Sequence, residues 1–445
     1  MRLIVFAGLL STSCGLLTAA DTSALSGGAT TIFDTGRNAF SHPLANITPL
    51  TRRQHVTGNS FFNENWVAAP ASTGARDGLG PMFNARSCSA CHPLDGRGSP
   101  DGVALLVRIS IMHDGKAAPH PIYGDQIQPL ALPGAQAEAS IRLRWADAAS
   151  TYPDHTTVML RRPVLELDSW RDGKPEPLML SPRVGNAVFG LGLLEAVPEA
   201  TVRALADPDD RDGDGISGRP NEIRGADGQI QLGRFGWKAN QPTLRQQAAD
   251  AFAGDIGITS PAHLEENHSS AQTSRLADFP SGGTPELEEL LLQRVTTYLQ
   301  TLAPPARRNV KAEDVQRGQQ LFHKARCNAC HLHELRTGDS HPVQELRGQI
   351  IHPYTDLLLH DMGAGLADNR PDHTASGTEW RTPPLWGLGL QKTVNGHTSL
   401  LHDGRARNSE EAILWHDGEA DASRQTFRKM SATERADLLT FLDSL

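Results

Sequence analysis

Two short runs carry residues whose type and spacing are typical of covalent haem attachment. They are Cys88-Ser89-Ala90-Cys91-His92 and Cys327-Asn328-Ala329-Cys330-His331. Two thiols one helical turn apart can form thioethers to the two vinyl groups of one haem, and the adjoining histidine can bind its iron. The sequence therefore predicts two haem c groups, with His92 and His331 as proximal iron ligands. The predicted attachment residues are Cys88, Cys91, Cys327 and Cys330.

The use of cysteine in the rest of the chain supports this interpretation. The chain has 5 cysteines, and the one outside the two runs is Cys14. A zinc site would need two cysteine pairs close together, whereas these pairs lie far apart and each has an adjoining histidine. A redox dithiol would need a βαβ context, which the sequence lacks. Haem attachment is therefore favoured over both alternatives.

The first residues are typical of an export signal. Arg2 precedes an apolar run over residues 3–10, and the segment ends in the small residues Thr18-Ala19-Ala20. This order predicts a signal peptide over residues 1–20 and a periplasmic protein. The apolar run is too short to span a bilayer, so no transmembrane segment is expected. Lipid anchoring through Cys14 is the minor alternative, since Ser11-Thr12-Ser13 is a poor attachment signal.

Net charge excludes one class of partner. The formal net charge of -9 comes without a basic stripe, and this argues against nucleic-acid binding.

The C-terminal part of the chain predicts helices on both sides of the second haem run. One helix should extend from about Ala312 through Leu321-Phe322 into that run. The last helix should begin at a capping box formed by Ser431 and Glu434. Its apolar face consists of Leu438, Phe441, Leu442 and Leu445. Residues 311–445 are therefore predicted to form one haem-binding domain.

The N-terminal part is predicted to be a second copy of this arrangement. Its closing helix should cover residues 285–302, with Thr284 as N-cap, Pro285 at the first position and Ala303-Pro304-Pro305 as the stop. Alternating apolar residues in the stretch 100–230 predict a β-rich insertion. We therefore expect a mainly α fold of two cytochrome c-like haem domains, residues 21–305 and 311–445, the first carrying the insertion.

One acidic run inside the insertion resembles half of a calcium-binding loop. Aspartates alternate over positions 210–214 before Gly215, which suits a hard cation and a sharp turn. The candidate calcium ligands are Asp210, Asp212, Asp214 and the backbone carbonyl of Ile216. The twelfth position is Asn221 instead of glutamate, although Glu222 is adjacent. The alternative is a solvated acidic turn.

Further short blocks over most of the chain resemble a known family. The blocks are Gly78-Leu79-Gly80-Pro81, Phe83-Asn84-Ala85, Tyr123-Gly124-Asp125-Gln126, Gly192-Leu193-Leu194-Glu195, Arg234-Phe235-Gly236-Trp237-Lys238-Ala239, Asp255-Ile256-Gly257, Leu359-His360-Asp361-Met362-Gly363, Glu379-Trp380-Arg381-Thr382-Pro383-Pro384-Leu385-Trp386-Gly387 and His402-Asp403-Gly404-Arg405-Ala406. Together with the haem runs, they resemble di-haem oxidoreductases of the putative-peroxidase type, relatives of bacterial di-haem cytochrome c peroxidases.

This resemblance implies roles for particular residues. Trp237 matches a tryptophan that relays electrons between the haems, and Gln247 matches a glutamine of the distal pocket. Asp255 stands where the peroxidases carry a glutamate, so it would act as the acid–base group on peroxide. His416 matches the second axial ligand of the C-terminal haem, with Met362 as the competitor. Bis-histidine ligation would give that iron a lower potential than His/Met ligation.

The function implied by the resemblance is peroxide reduction at the N-terminal haem. Electrons from a small redox protein would enter through the C-terminal haem. A related version would use the oxidising equivalents on another substrate, as the methylamine-utilisation di-haem enzyme does. The alternative class is a non-catalytic electron carrier with both irons six-coordinate. His113 or His120 could close the first iron in that case.

Overall fold

The computed structural model describes residues 22–114, 116–175, 178–225 and 227–445. The predicted signal peptide and Cys14 lie outside this part. The helices are α1 Pro49–Asn63, α2 Cys88–Cys91, α3 Leu191–Glu195, α4 Glu199–Ala204, α5 Leu244–Ala251, α6 Ser270–Leu276, α7 Glu289–Gln300, α8 Glu313–Lys324, α9 Gln391–Asn395, α10 Ser409–Trp415, α11 Asp421–Lys429 and α12 Ala432–Ser444. A π-helical turn, Phe252–Ile256, follows α5. Each of these helices is too short or too polar to cross a bilayer.

The strands form several small antiparallel sheets. They are β1 Met82–Phe83, β2 Leu105–His113, β3 Lys116–Ala118, β4 Leu130–Ala131, β5 Ser140–Thr151, β6 Thr157–Asp168, β7 Met179–Val184, β8 Glu222–Arg224, β9 Ile230–Leu232, β10 Leu335–Arg336, β11 Ile350–Ile351, β12 Leu359–Asp361 and β13 Glu379–Arg381. One sheet has three strands in the order β3-β2-β7. The pairs β1-β4, β5-β6, β8-β9, β10-β11 and β12-β13 form the two-stranded sheets.

The expectation of a mainly α fold of two cytochrome c-like domains was wrong. The chain is 30% helix and 19% strand, which makes it a mixed α/β protein. The predicted strands of the insertion are present, because their apolar residues alternate as a half-buried strand requires. The prediction underestimated them: β5 and β6 pair over their whole length, and short strands also lie in the C-terminal part of the chain.

The predicted helices near the C-terminal haem run are confirmed. Helix α8 follows Ala312, and α12 begins after Ser431, whose side chain and that of Glu434 form the capping box. Helix α7 begins at Glu289, so Thr284 is not its N-cap. The physical reason is a contact that the local sequence does not reveal. The carboxylate of Glu286 accepts hydrogen bonds from the backbone N–H and hydroxyl of Thr259, at 2.9 Å each, and holds this segment outside the helix.

The same helix crossing occurs twice. Helix α1 packs on α7, and α8 packs on α12. Each crossing has a glycine at the contact: a Cβ on Gly58 would overlap the carbonyl of Arg294, and a Cβ on Gly318 would overlap that of Asp437. Small residues at such points let two helix backbones approach closely.

A phenylalanine lies one turn after each of these glycines. The Phe62 ring lies 5.2 Å from Tyr298 on α7 and 6.2 Å from His92. The Phe322 ring lies 5.2 Å from Phe441 on α12 and 6.4 Å from His331. Each helix pair therefore supports one of the two histidines in the same way.

The ribbon formed by β5 and β6 reaches the C-terminal part of the chain. The Tyr152 hydroxyl near its tip donates a hydrogen bond to Glu410 at 2.8 Å. Arg435 on α12 donates to Asp154 at 3.0 Å. Along β6, the Arg161 guanidinium donates to the carbonyl of Arg405 at 2.9 Å. The insertion is thus fastened to helices that lie far away in the sequence.

We expect Gly318→Ala to lower the free energy of unfolding by about 1–3 kcal/mol, because overpacking against the Asp437 carbonyl forces α8 and α12 apart. This cost should exceed the ~0.5–1 kcal/mol by which alanine favours a helix over glycine. Gly58→Ala should behave alike. Thermal melting of the holoprotein measures both effects. Gly74→Ala is the control, because a Cβ there meets no atom within 4 Å. Wild-type melting of Gly318→Ala would contradict the crossing argument.

Candidate active site

Each of the two cysteine–histidine runs lines a cavity in the described part of the chain. The first cavity is lined by Cys88, Cys91 and His92. The second cavity is lined by Cys327, Cys330 and His331. Each encloses about 1650 Å³ measured out to its mouth. This space includes the solvent at the open mouth of each cavity, and it leaves room for a group as large as haem.

The two histidines are oriented as iron ligands should be. The Nδ1 atom of His92 lies 2.5 Å from the carbonyl oxygen of Asn186, and that of His331 lies 3.0 Å from the carbonyl of Tyr354. When Nδ1–H donates to a carbonyl, the other ring nitrogen is left for the metal. Burial lowers the pKa of His92 and lowers that of His331 to about 4, so both rings are neutral at pH 7. These residues fit a haem in each cavity.

The cysteines of the runs are all unpaired in the described part of the chain. Cys88 and Cys91 lie at the two ends of one helical turn, α2, and Cys327 begins a 3₁₀ turn ahead of Cys330. Burial raises the pKa of Cys88 and of Cys327 to about 12. A redox dithiol needs a lowered thiol pKa, so this environment favours thioether attachment over thiol chemistry.

The wall of the first cavity also holds a buried carboxylate. Asp255 lies on the π-helical turn, and its Oδ1 accepts a hydrogen bond from the Gln126 amide at 2.7 Å. Burial raises the pKa of Asp255, and the Gln126 hydrogen bond and the Arg108 guanidinium oppose this rise. Gln247 lines the same cavity from α5. The structure therefore brings Asp255 and Gln247 together with His92.

Gln126 and Arg108 were missed as site residues. The Gln126 amide also donates to Asn84 at 2.7 Å, and its carbonyl oxygen accepts from Arg108 at 3.2 Å. This network fixes the orientation of the amide that binds Asp255. The sequence feature that could have pointed to Gln126 was the block Tyr123-Gly124-Asp125-Gln126, whose polar end follows a buried tyrosine. Its role could not be found from the sequence, because only the fold brings residue 126 to residue 255.

Trp237 lies on the walls of both cavities. Its indole N–H donates to the carbonyl of Val184 at 2.8 Å, and its own carbonyl accepts from the backbone N–H of Arg381 at 2.9 Å. The Arg97 guanidinium lies over the indole, 4.8 Å from the ring centre. The other residues that line both cavities are Arg97, Ala187, Arg381, Pro383 and Pro384.

The second cavity contains both candidates for a further axial ligand. His416 follows α10, and its Nδ1 lies 2.6 Å from the carbonyl of Ala412, which leaves Nε2 free to bind a metal. Burial lowers the pKa of His416. Met362 lines the same cavity. His402 also lies there and stacks on Trp380, with ring centres 3.8 Å apart.

The two other candidate ligands of the first iron lie elsewhere. The His113 side chain is 72% exposed at the end of β2, next to Asp114. His120 accepts hydrogen bonds from the backbone N–H groups of Ile122 and Tyr123, at 3.1 and 3.2 Å. Neither histidine lines the first cavity.

A buried charged histidine beside the second run was not found from the sequence. His360 on β12 lies between Asp356 and Glu419, at 2.8 and 2.7 Å. Burial alone would lower its pKa, but the hydrogen bonds to Asp356, Cys330 and Glu419 raise the pKa well above its usual value. Its Nδ1 lies 3.6 Å from the Cys330 sulfur. The block that contains His360 was noted, but Asp356 stands four residues ahead of His360 and Glu419 comes from a distant segment.

The acidic run is compact but only partly available to a cation. One carboxylate oxygen from each of Asp210, Asp212 and Asp214 lies within 4.8 Å of the others. Asp214 forms an ion pair with Arg326, the residue before the second run. Asn221 is buried elsewhere and donates to the carbonyl of Lys238 at 2.7 Å, so it cannot complete a calcium loop. Calcium at this loop, including the carbonyl of Ile216, stays a prediction.

Comparisons with known proteins indicate a family. No curated protein matched the sequence. A solved structure of hydrazine synthase from Kuenenia stuttgartiensis, pressurised with 20 bar xenon, is 14% identical with a TM-score of 0.35, and the match covers 100% of both chains. That score is too low to support an argument about this protein. The model of the family described as di-haem oxidoreductase, putative peroxidase, matches residues 20–114 and 126–445. The chain therefore belongs to the di-haem oxidoreductase family.

Proposed function

We propose that this protein is an exported di-haem c-type oxidoreductase that reduces peroxide in the first cavity, with electrons delivered through the second. One observation carries the proposal. Among the described residues that line the first cavity, His92 is the one histidine, and methionine is absent. The second cavity contains His416 and Met362 in addition to His331. This difference supports one iron open to a substrate and one iron closed for electron transfer.

A haem bound at His92 would supply the redox chemistry and a free position for peroxide. Asp255 would take the proton from one peroxide oxygen and deliver it to the other, so that this second oxygen could leave as water instead of hydroxide. Gln126 holds the carboxylate by its hydrogen bond of 2.7 Å. Gln247 would orient the peroxide, because its side-chain amide makes no hydrogen bond within the described part of the chain. Overall, one peroxide, two electrons and two protons give two waters.

The electrons would pass between the cavities by way of Trp237. Its indole belongs to both walls, and the hydrogen bond to Val184 holds its ring in place. Electron transfer between fixed groups needs no movement of the chain. The position of Trp237 therefore supports a route for electrons through the wall that the two cavities share.

The second cavity would hold the haem that receives electrons. His331 and His416 are the proposed axial ligands, and Met362 is the competitor. A bis-histidine iron would have a lower potential than a His/Met iron. The donor is proposed to be a small periplasmic redox protein, and this location rests on the predicted signal peptide at residues 1–20. Residues 21–305 and 311–445 are the proposed units that carry the two haems.

Covalent attachment has a direct test. We expect two haems per chain to survive denaturing gel electrophoresis, and the double variant Cys88→Ser/Cys91→Ser to retain one. Pyridine haemochrome spectra measure the stoichiometry. Cys14→Ser is the control and should retain both haems, because Cys14 belongs to neither run. Two covalent haems in the double variant would refute attachment at the first run.

The acid–base role of Asp255 predicts slower turnover and an altered pH profile. Asp255→Asn should lower kcat/KM for hydrogen peroxide by about 10²–10⁴-fold, since it removes the base. Burial raises the pKa of Asp255, so in the wild type the carboxylate is protonated, and activity lost, at a higher pH than for an exposed aspartate. The variant should not show this loss of activity at low pH. Asp114→Asn, at an exposed position, should change neither property. Full activity of Asp255→Asn would disprove the role.

The coordination of the two irons decides between enzyme and carrier. EPR and optical spectra of the oxidised and half-reduced protein should show one high-spin and one low-spin haem. His416→Ala should change the low-spin signal alone, towards high-spin or towards a His/Met spectrum if Met362 takes the position. Two low-spin haems in both states, unchanged by peroxide, would instead indicate a non-catalytic electron carrier.

A further inference from the structure

Two histidines and a glutamate come together outside both cavities. In the hairpin of β10 and β11, Leu335 pairs with Ile351. Continuing this antiparallel register places Glu334 beside His352 at the open end of the ladder. His333 precedes Glu334, and one ligand atom from each of the three side chains lies within 4.8 Å of the others. None of the three lines the second cavity.

His352 is held as metal-binding histidines usually are. Its ring Nδ1 lies 3.0 Å from the carbonyl of Leu25, and its backbone N–H donates to the carbonyl of Ser26 at 2.7 Å. Its side chain is only 10% exposed. A hydrogen bond from Nδ1–H to a carbonyl fixes the tautomer and leaves Nε2 as the free donor atom. This Nε2 faces the glutamate.

The separation of the facing atoms suits a shared cation better than a hydrogen bond. The Nε2 atom of His352 lies 3.5 Å from Oε2 of Glu334. An N–H···O hydrogen bond usually measures ~2.7–3.2 Å. Two ligands of a tetrahedral ion with bonds of ~2.0–2.1 Å lie about 3.4 Å apart. The observed distance is close to this edge length.

His333 supplies the third donor. Its ring lies 4.6 Å from that of His352 and 5.2 Å from that of Tyr354, measured between centres. Within the described part of the chain, no hydrogen bond engages either of its ring nitrogens. Glu334 is 58% exposed, so water can reach a fourth position. Two imidazoles and one carboxylate suit a cation of borderline softness such as Zn²⁺, whereas Ca²⁺ requires oxygen ligands.

We propose that His333, Glu334 and His352 bind one divalent transition-metal ion of the Zn²⁺ class. The ion would join the segment after the second haem run to β11. Through the contacts of His352 with Leu25 and Ser26, it would also fasten the segment at residues 25–26. The proposal is independent of the peroxidase function, because it uses no residue of either cavity.

Zinc binding to the tag-free holoprotein tests the proposal. After chelator treatment and exchange, Zn²⁺ should bind with one equivalent per chain by calorimetry, and the metal should remain after gel filtration. His333→Ala and Glu334→Gln should each weaken binding by at least about 100-fold, the upper end of the loss seen when only a supporting residue is removed. The haem spectra should stay unchanged in Glu334→Gln, which shows that the fold is intact.

Two variants control for other donors. His113→Ala removes an exposed histidine elsewhere, and Asp212→Asn weakens the acidic run; both should bind zinc as the wild type does. The proposal is overturned if the wild type retains no zinc, or if Glu334→Gln and His333→Ala retain wild-type affinity. Loss of binding in Asp212→Asn alone would also overturn it, since the ion would then occupy the acidic run.

Discussion

The close crossing of two helix pairs is the constraint on which the rest of the structure depends. At Gly58 and at Gly318, the partner backbone occupies the space of a side chain. This approach brings Phe62 and Phe322 up to the histidines of the two runs. Phe62 and His92 line the first cavity, and Phe322 and His331 line the second. A larger residue at either glycine would therefore shift a histidine that it does not contact.

The two cavities have similar walls on the side of His92 and His331 and different walls on the opposite side. The repeated helix pairs present His92 and His331 with the same type of carbonyl partner. The other walls come from unrelated segments: the insertion and the π-helical turn supply Gln126 and Asp255, and the chain after α10 supplies His416. Two similar supports are thus combined with different opposite walls, because those walls come from different segments of the chain.

Much of the site could be predicted because its signals are local. The haem runs, the capping box of α12 and the alternation in β5 are each visible within a few residues. Trp237, Gln247 and Asp255 were inferred from resemblance, and the structure places all three on the first cavity. The role of Gln126 depends on Asp255, and that of His360 depends on Glu419 as well as on the nearby Asp356, so no local pattern records either role in full. The start of α7 depends likewise on the contact between Glu286 and Thr259.

The ribbon of β5 and β6 has a mechanical consequence. It belongs to the N-terminal part of the chain and makes hydrogen bonds to Glu410 and Arg435 in the C-terminal part. The sequence predicts a boundary between two units after Pro305, but the ribbon makes contacts across that boundary. These hydrogen bonds connect the part of the chain that carries the first cysteine–histidine run to the part that carries the second. Because the rate of electron transfer falls steeply with distance, a fixed separation would hold that rate constant if electrons pass between the two cavities as proposed.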